Sequence, residues 1–324
     1  MPFKHHEPRR HRIPRARYRV TNWPEYDRGL VQRGDIRVWI SEEALAAWSA
    51  PRRRSRGGQR RYSDLAIETV LMLATVFRLP LRQAEGFTRS LMGLMTLELA
   101  VPDHTTLARR RRTVAIEMNA PGRTGPVDLV LDSTGLKFHG PGEWDRLRHG
   151  ETRRAWRKLH LAVDARTGEI LAHVLTDSDT SDAAMAGPLV SGAGGRIRTV
   201  IADGAYDGAP VYDAIRRARP QRSPPKIVIP PSRPSIPMPG TAHGGTERER
   251  HAAEIAASGR MAWQREHSYG KRSHAETAVF RLKRTGGERL KARTFGAQRR
   301  EVAFRISAEN KAIHLAKPIT VRIG

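Results

Sequence analysis

The chain has 324 residues, a length that favours about two domains, and carries 58 Lys and Arg against 33 Asp and Glu, a formal net charge of +25. With 39% hydrophobic residues and no Cys, it is not a disordered chain, a disulfide scaffold, a Cys-ligated zinc protein or a thiol enzyme. No apolar run of about 18 residues and no signal-peptide core occurs. This predicts a soluble cytoplasmic protein without a membrane partner, and the surplus positive charge calls for a polyanion, nucleic acid first.

Residues 1–17, rich in Arg, His and Pro, read as a basic flexible arm. Residues 18–120 read as a helical DNA-binding region. Within it Ile36–Ile40 alternates like a strand, and Ser41 is placed to cap a helix over Glu42–Trp48. The Arg-rich stretch 51–61 is a basic linker. Ser63 opens an apolar helix that must stop before Pro80, and a second helix covers about 81–97. Asp103 caps a third, short helix with Arg109, Arg110 and Arg112 at its end. Helix, turn and basic helix form the helix-turn-helix outline, so these three arginines are candidate DNA contacts. The plainer alternative is a helical bundle with a solvated Arg face.

Beyond Pro121 short apolar strands alternate with helices. Val127–Leu131 ends at Asp132; Lys158–Val163 and Ile170–Leu175 flank the turn 164–168; helix 183–190, strand Thr199–Asp203, helix 211–218 and strand Lys226–Ile229 follow. This order predicts a mixed α/β sheet. Many Pro and Gly over 230–245 read as an irregular loop, part of an insertion near 230–268. Arg260–Arg284 reads as one helix stopped by Gly286-Gly287, about 297–315 as a final amphipathic helix, and 316–324 as a tail.

Three carboxylates stand out. Asp132 and Asp203 each end an apolar strand beside small residues, at the end of a sheet where α/β proteins place ligands. Glu276 lies on the long helix with Tyr269, Arg272 and Lys283; from the tyrosine the other three stand at offsets of 3 (Arg272), 7 (Glu276) and 14 (Lys283). At about 100° per residue, the four share one face about 60° wide, with Ala275, Val279 and Leu282 beside it. Phase alone leaves open a solvated face with weak ion pairs.

The spacing Tyr269-x2-Arg272-x3-Glu276-x6-Lys283 resembles the Tyr-Arg-Glu-Lys signature of DDE-class bacterial insertion-sequence transposases, of the insertion-sequence-five type. Leu131-Asp132-Ser133-Thr134-Gly135 and Ala202-Asp203-Gly204-Ala205-Tyr206-Asp207 are similar to that family's two Asp segments, and Asn22-Trp23-x2-Tyr26 and Pro102-Asp103-His104-x-Thr106-Leu107 agree with its flanks. The likeness runs from about residue 18 to 315. It implies an RNase H-like catalytic domain over 121–315 and metal-dependent DNA cleavage and strand transfer at the element's terminal inverted repeats. It also implies a homodimer or higher assembly on DNA. Asp132, Asp203 and Glu276 would be both catalytic residues and metal ligands, holding two Mg²⁺ ions with Mn²⁺ able to substitute. Arg272 and Lys283 would meet DNA phosphates and Tyr269 would help position DNA; Arg272 has the spacing to pair with Glu276 instead. The rivals are a metal-dependent nuclease without strand transfer and a repressor-like DNA-binding protein.

Other polar residues fit the site less well. Asp128 shares the strand face of Asp132 but lies about 13 Å away along the strand. Asp164 suits a turn, Asp207 is the best alternative ligand, and His139 and His160 lack the spacing of a zinc site.

Overall fold

The computed structural model describes residues 17–52, 54, 57–116, 125–138, 156–218, 220, 223–232 and 245–323. Of the arm 1–17 all but Arg17 lies outside these residues, as does His139.

Strand β1 (Tyr18–Val20) pairs antiparallel with the last strand, Thr320–Arg322, so the two ends of the described chain are tied together. Asn22 extends the tie, donating to the Lys317 carbonyl and accepting from the Ile319 amide. Helices α1 (Trp23–Gln32), α2 (Ile36–Trp39) and α3 (Glu42–Ala46) follow. The strand expected at Ile36–Ile40 is thus a single helical turn. Asp35 accepts from the Arg37 amide as an N-cap, and a helical turn brings Ile36 and Trp39 to the same core, whereas a strand's alternation would separate them.

Helix α4 (Asp64–Val76) is capped by Ser63, α5 (Leu81–Leu94) starts at Pro80, and α6 (His104–Arg110) is capped by Asp103, as their sequences indicate. Their core holds Trp39, Trp48, Ile67, Val70, Leu73, Met92 and Leu107, and is completed by Phe304, Ala308 and Ala312 from the far end of the chain.

The second unit is a mixed sheet. Strands β2 (Val127–Phe138), β3 (Trp156–Asp164) and β4 (Ile170–Asp177) run antiparallel; β5 (Ile197–Ile201) and β6 (Lys226–Val228) run parallel to β2 on its other side, giving the order β4-β3-β2-β5-β6. Helices α7 (Asp182–Gly192) and α8 (Ala209–Ala218) cover one face through Leu129, Leu131, Leu189, Val200 and Ile215.

The other face is covered by the C-terminal helices. Thr246 and Glu249 form a capping box that starts α9 (Glu247–Ser258), a helix hidden within the Pro- and Gly-rich reading of this region. Helix α10 (Arg260–Glu266) comes next. The single helix expected over Arg260–Arg284 is broken: Ser268 adopts a left-handed φ of 52°, Tyr269–Arg272 is a 3-10 turn, and only then does α11 (Ser273–Gly286) begin. After strand β7 (Arg289–Leu290), which pairs with the end of β2, comes α12 (Phe295–Leu315). The final strand is β8 (Thr320–Arg322).

Helix α12 is not amphipathic. Val302 and Ile306 pack on the sheet while Phe304, Ala308 and Ala312 pack on the N-terminal helices, so both sides are buried. Its buried polar residues are satisfied from neighbours: Asn310 bonds both the amide and the carbonyl of Ile170, and Arg305 reaches the Gly287 carbonyl.

Candidate active site

Strand β2 does not end at Asp132. It continues to Phe138, paired with β3 through Lys137–Trp156, so Asp132 sits in mid-strand. What ends at this level is the parallel neighbour. The last parallel pair is Val130–Ile201, and β7 joins β2 only at Lys137. Between these points the edge of β2 has no strand partner among the described residues. Asp132 and Asp203 each lie two residues past that last pair, so parallel register brings them level, on strands about 4.8 Å apart. This is the carboxyl end of the parallel strands, where an open sheet leaves its crevice.

Alternation along β2 sends Val130 and Leu136 to the core beneath α11, and Asp132 shares their parity. Helix α11 docks there through Ala275, Ala278 and Leu282, which places Glu276 in its first turn over the same edge. The three carboxylates share this edge closely enough for Asp132 to feel the charges of the other two, although their oxygens do not all lie within 4.8 Å of one another. Burial raises the Asp132 carboxyl above the ordinary aspartate range, and the charges of Asp203 and Glu276 push the same way. Opposing them are the Ser133 amide, which donates to Asp132 Oδ1 at 2.9 Å, and the Arg272 guanidinium. Asp203 Oδ1 accepts from the Ala205 amide at 2.9 Å and so caps the 3-10 turn Gly204–Tyr206.

The broken helix changes how the basic residues reach this centre. Arg272 belongs to the 3-10 turn, and its guanidinium pairs with Glu276. Tyr269 is half-buried, its ring centroid 5.5 Å from that of Trp263. Its hydroxyl is pushed up to about 12 by burial, with Asp203 and Asp132 adding to the shift against Arg272 and Arg260. The turn is pinned to β2 by Lys271, whose Nζ lies 2.7 Å from Asp128, and Arg198 closes on the same carboxylate at 2.7 and 2.8 Å. Asp128 is therefore an anchor for the loop that presents Glu276. Lys283 stands half-buried two turns beyond Glu276 on α11, among the residues leading to the helix end.

Two residues under the site escaped the sequence reading. Asp182, in the first turn of α7, lies 3.1 Å from Lys158 and 3.2 Å from His160. Burial raises its carboxyl, but hydrogen bonds from His160, Ser133 and Lys158 outweigh burial and hold it at about 2. Tyr206 is buried beside Asp182, Asp132 and Asp203, and its hydroxyl has no hydrogen-bond partner among the described residues. The available signals were Ser181, placed as a cap before Asp182, and, for Tyr206, its place in the Asp203 segment. His160 is a buried member of this network, bonded to Thr176.

The competing acids have other partners. Asp207 is gripped by Arg248 at 2.7 and 3.0 Å and by the Ser232 amide at 2.8 Å, and Asp164 turns the hairpin by accepting from the Arg166 amide. His251, Glu254 and His267 cluster with ligand atoms within 4.8 Å. Yet Trp263 Nε1 donates to His251 Nδ1, and His251 Nε2 faces the Ile227 carbonyl at 2.8 Å, so both ring nitrogens are engaged. This cluster buttresses Trp263 and hence Tyr269.

Two family profiles match the chain, both for the transposase DDE domain, over residues 31–141 and 123–310. The chain belongs to the transposase DDE domain family. The second match contains all three carboxylates of the centre. Among solved structures, the chain is similar to a piggyBac transposase in a synaptic complex with hairpin DNA, at 14% identity and a TM-score of 0.42 over 92% of this chain and 77% of that one. No described helix of this DDE transposase is long and apolar enough to cross a membrane.

The arginines at the end of α6 and in the turn after it divide. Arg109 and Arg112 are exposed. Arg110 is buried; it pairs with Asp64 at the start of α4 and donates to the Tyr62 carbonyl at 3.2 Å. Because i and i+1 on a helix point about 100° apart, an unbroken Arg run cannot present every member to one partner.

Proposed function

We propose that the protein is a cut-and-paste DNA transposase of the insertion-sequence-five type, with Asp132, Asp203 and Glu276 as the catalytic carboxylates of an RNase H-like domain. The observation that carries this reading is the convergence of the three on one open edge of the sheet, in a chain of the DDE family. The strand order, three antiparallel strands with two parallel ones beyond the first, is the one such a domain requires.

The donor set suits divalent metal. Three carboxylates on one edge, with burial already disfavouring the charge on Asp132, leave an excess of negative charge offset locally by Arg272. Hard oxygen donors with room for water are what Mg²⁺ takes, and Mn²⁺ accepts the same set. Asp132, Asp203 and Glu276 would hold the metal, which supplies an activated oxygen nucleophile and stabilises the leaving oxygen of the phosphodiester.

The chain's own residues provide the rest. Lys271 and Asp128 fix the turn before α11, and the Asp182 network braces Ser133, so two of the three carboxylates are held from behind. Tyr269, kept protonated by its burial, offers a hydroxyl donor beside the reacting phosphate. Arg272 orients Glu276, Lys283 contacts DNA, and Arg109 and Arg112 contact the terminal inverted repeats from the helical region 18–120. Joining two ends to one target calls for a homodimer or larger assembly. A repressor-like role is disfavoured, since a binder gains nothing from three carboxylates in a cleft that faces DNA.

The test is cleavage of DNA carrying the element's ends in Mg²⁺ by the wild type and by Asp132→Asn, Asp203→Asn and Glu276→Gln. Each variant should lose cleavage while retaining DNA binding. Near-normal cleavage by any one removes that residue from the centre, and cleavage without joined product by the wild type makes the protein a nuclease.

A further inference from the structure

A second cleft opens away from the carboxylates, with a volume of about 960 Å³, between the N-terminal helices and the C-terminal part of the chain. One wall carries Arg78, Arg82, Arg109, Arg111 and Arg112 from the α4–α5 turn, α5 and α6; the other carries Lys291, Arg293 and Arg300 around the start of α12. With Arg305, nine Lys and Arg side chains line it against one carboxylate, Glu301. Glu301 pairs with one of them, Arg305, and leaves the rest in excess. It accepts from the amides of Lys291 and Ala292 and from Arg305.

Several of these cations have no ion-pair partner among the described residues. Arg82, Arg109, Arg112 and Arg293 are exposed and form no ion pair among the described residues. Arg111 is half-buried and its Nε has no hydrogen-bond partner among the described residues; burial works against its charge, Glu301 partly offsets this, and Arg112 adds to it. Such a concentration of like charge works against folding unless an anion binds. A small anion answers two or three donors; two facing rows of guanidinium groups match the phosphates of a nucleic acid strand, one every ~3.4 Å.

The cleft is also joined to the catalytic centre. Gly286, which ends α11, lines it. Ten residues of helix separate Gly286 from Glu276, about 15 Å, a distance spanned by four or five base pairs. Arg78, on the opposite wall, has a left-handed φ of 55°. In that strained conformation its guanidinium donates to the Arg284 and Thr285 carbonyls at the end of α11, and Lys291 donates to the Arg78 carbonyl.

We propose that this cleft binds the sugar-phosphate backbone of duplex DNA beside the cleavage point, gripping it between the helical region and α12. The assignment rests on the transposase reading and adds a DNA-binding wall from the C-terminal part of the chain.

The test uses the full chain and a labelled mixed-sequence duplex of about 20–30 base pairs, titrated by fluorescence anisotropy from about 50 to 200 mM salt. Arg82, Arg112 and Arg293 are replaced together by Ala; Arg19, Arg28 and Arg217, exposed elsewhere, form a control of equal charge loss. The cleft variant should bind at least tenfold more weakly than the control. Its slope of log affinity against log salt should flatten by up to ~2.7, about 0.9 for each phosphate that is no longer neutralised. In the wild type, DNA should protect Arg82, Arg112 and Arg293, and not Arg217, from phenylglyoxal, a readout that needs no variant. Equal binding by cleft and control variants, or no protection, overturns the cleft while leaving the transposase reading in place. Failure of the wild type to bind DNA overturns both.

Discussion

At the residue scale, neighbours of the same type do different work. A continuous helix would put Arg272 and Lys283 on one face, but Arg272 lies in the 3-10 turn before α11 and pairs with Glu276 from there. Arg272→Ala should therefore weaken Mn²⁺ affinity as well as end joining, because it frees the Glu276 rotamer. Lys283→Ala should reduce joining about tenfold or more with unchanged Mn²⁺ affinity and melting temperature; normal joining by that protein would leave Lys283 without a DNA role. His173 offers a pH test. Burial, with Arg299 nearby, lowers its imidazole to about 4, so it is neutral in the fold. The unfolded chain takes up this proton near pH 6.5 and the folded chain only near pH 4. Its contribution to stability is thus intact above pH 6.5 and is lost as the pH falls toward 4, by up to about 3 kcal/mol. Denaturant unfolding at pH 7 and pH 5 should show a smaller loss for His173→Leu than for the wild type.

At the element scale, short contacts decide where helices begin and end. Arg110 ties α6 to α4 through Asp64 and the Tyr62 carbonyl, while Arg109 and Arg112 face outward. Arg110→Ala should cost about 1 kcal/mol by removing the bonds to Asp64 and to the Tyr62 carbonyl. Arg109→Ala and Arg112→Ala should leave the melting temperature nearly unchanged and weaken DNA binding; a combined measurement of stability and affinity separates the two groups. Arg78 holds the end of α11 from outside its own helix. Arg78→Ala should speed amide hydrogen exchange in the last turn of α11, near Gly286 and Gly287, where a carbonyl-capping guanidinium is removed. Exchange unchanged there would mean that the Gly286-Gly287 stop suffices by itself.

At the scale of the whole molecule, α12 joins the two cores. Phe304 sits among the N-terminal helices, and Val302 and Ile306 lie against the sheet, on one helix. A fragment of residues 18–120 therefore lacks one wall of its core, and its binding to DNA is better studied in the full chain. Phe304→Ala should destabilise the protein by about 3–5 kcal/mol. It should lower the melting of the helical region and the sheet together, as one transition read by Trp fluorescence and by far-ultraviolet circular dichroism. Two separate transitions would show that the units fold independently. The β1–β8 pair adds to this closure, since it joins the two ends of the described chain directly.

Local chemistry was legible in the sequence wherever a residue acts on its near neighbours. Ser41, Ser63 and Asp103 cap the helices that follow them because a side-chain oxygen there reaches an amide two or three positions on. Apolar alternation and strand–helix order predicted the mixed sheet; Asp132, Asp203 and Glu276 were singled out by their segments and spacing, and their catalytic role remains a proposal. Tertiary structure decided the rest, because those outcomes depend on partners distant in the chain. Helix α12 is buried on both sides, and no periodicity announces a helix between two cores. The break at Ser268 lets Lys271 reach Asp128 and Tyr269 reach Trp263, contacts that a continuous helix from Arg260 does not arrange. Asp132 stands in a crevice because β5 stops at Ile201 while β2 runs on, a property of the pairing between strands that neither strand carries alone.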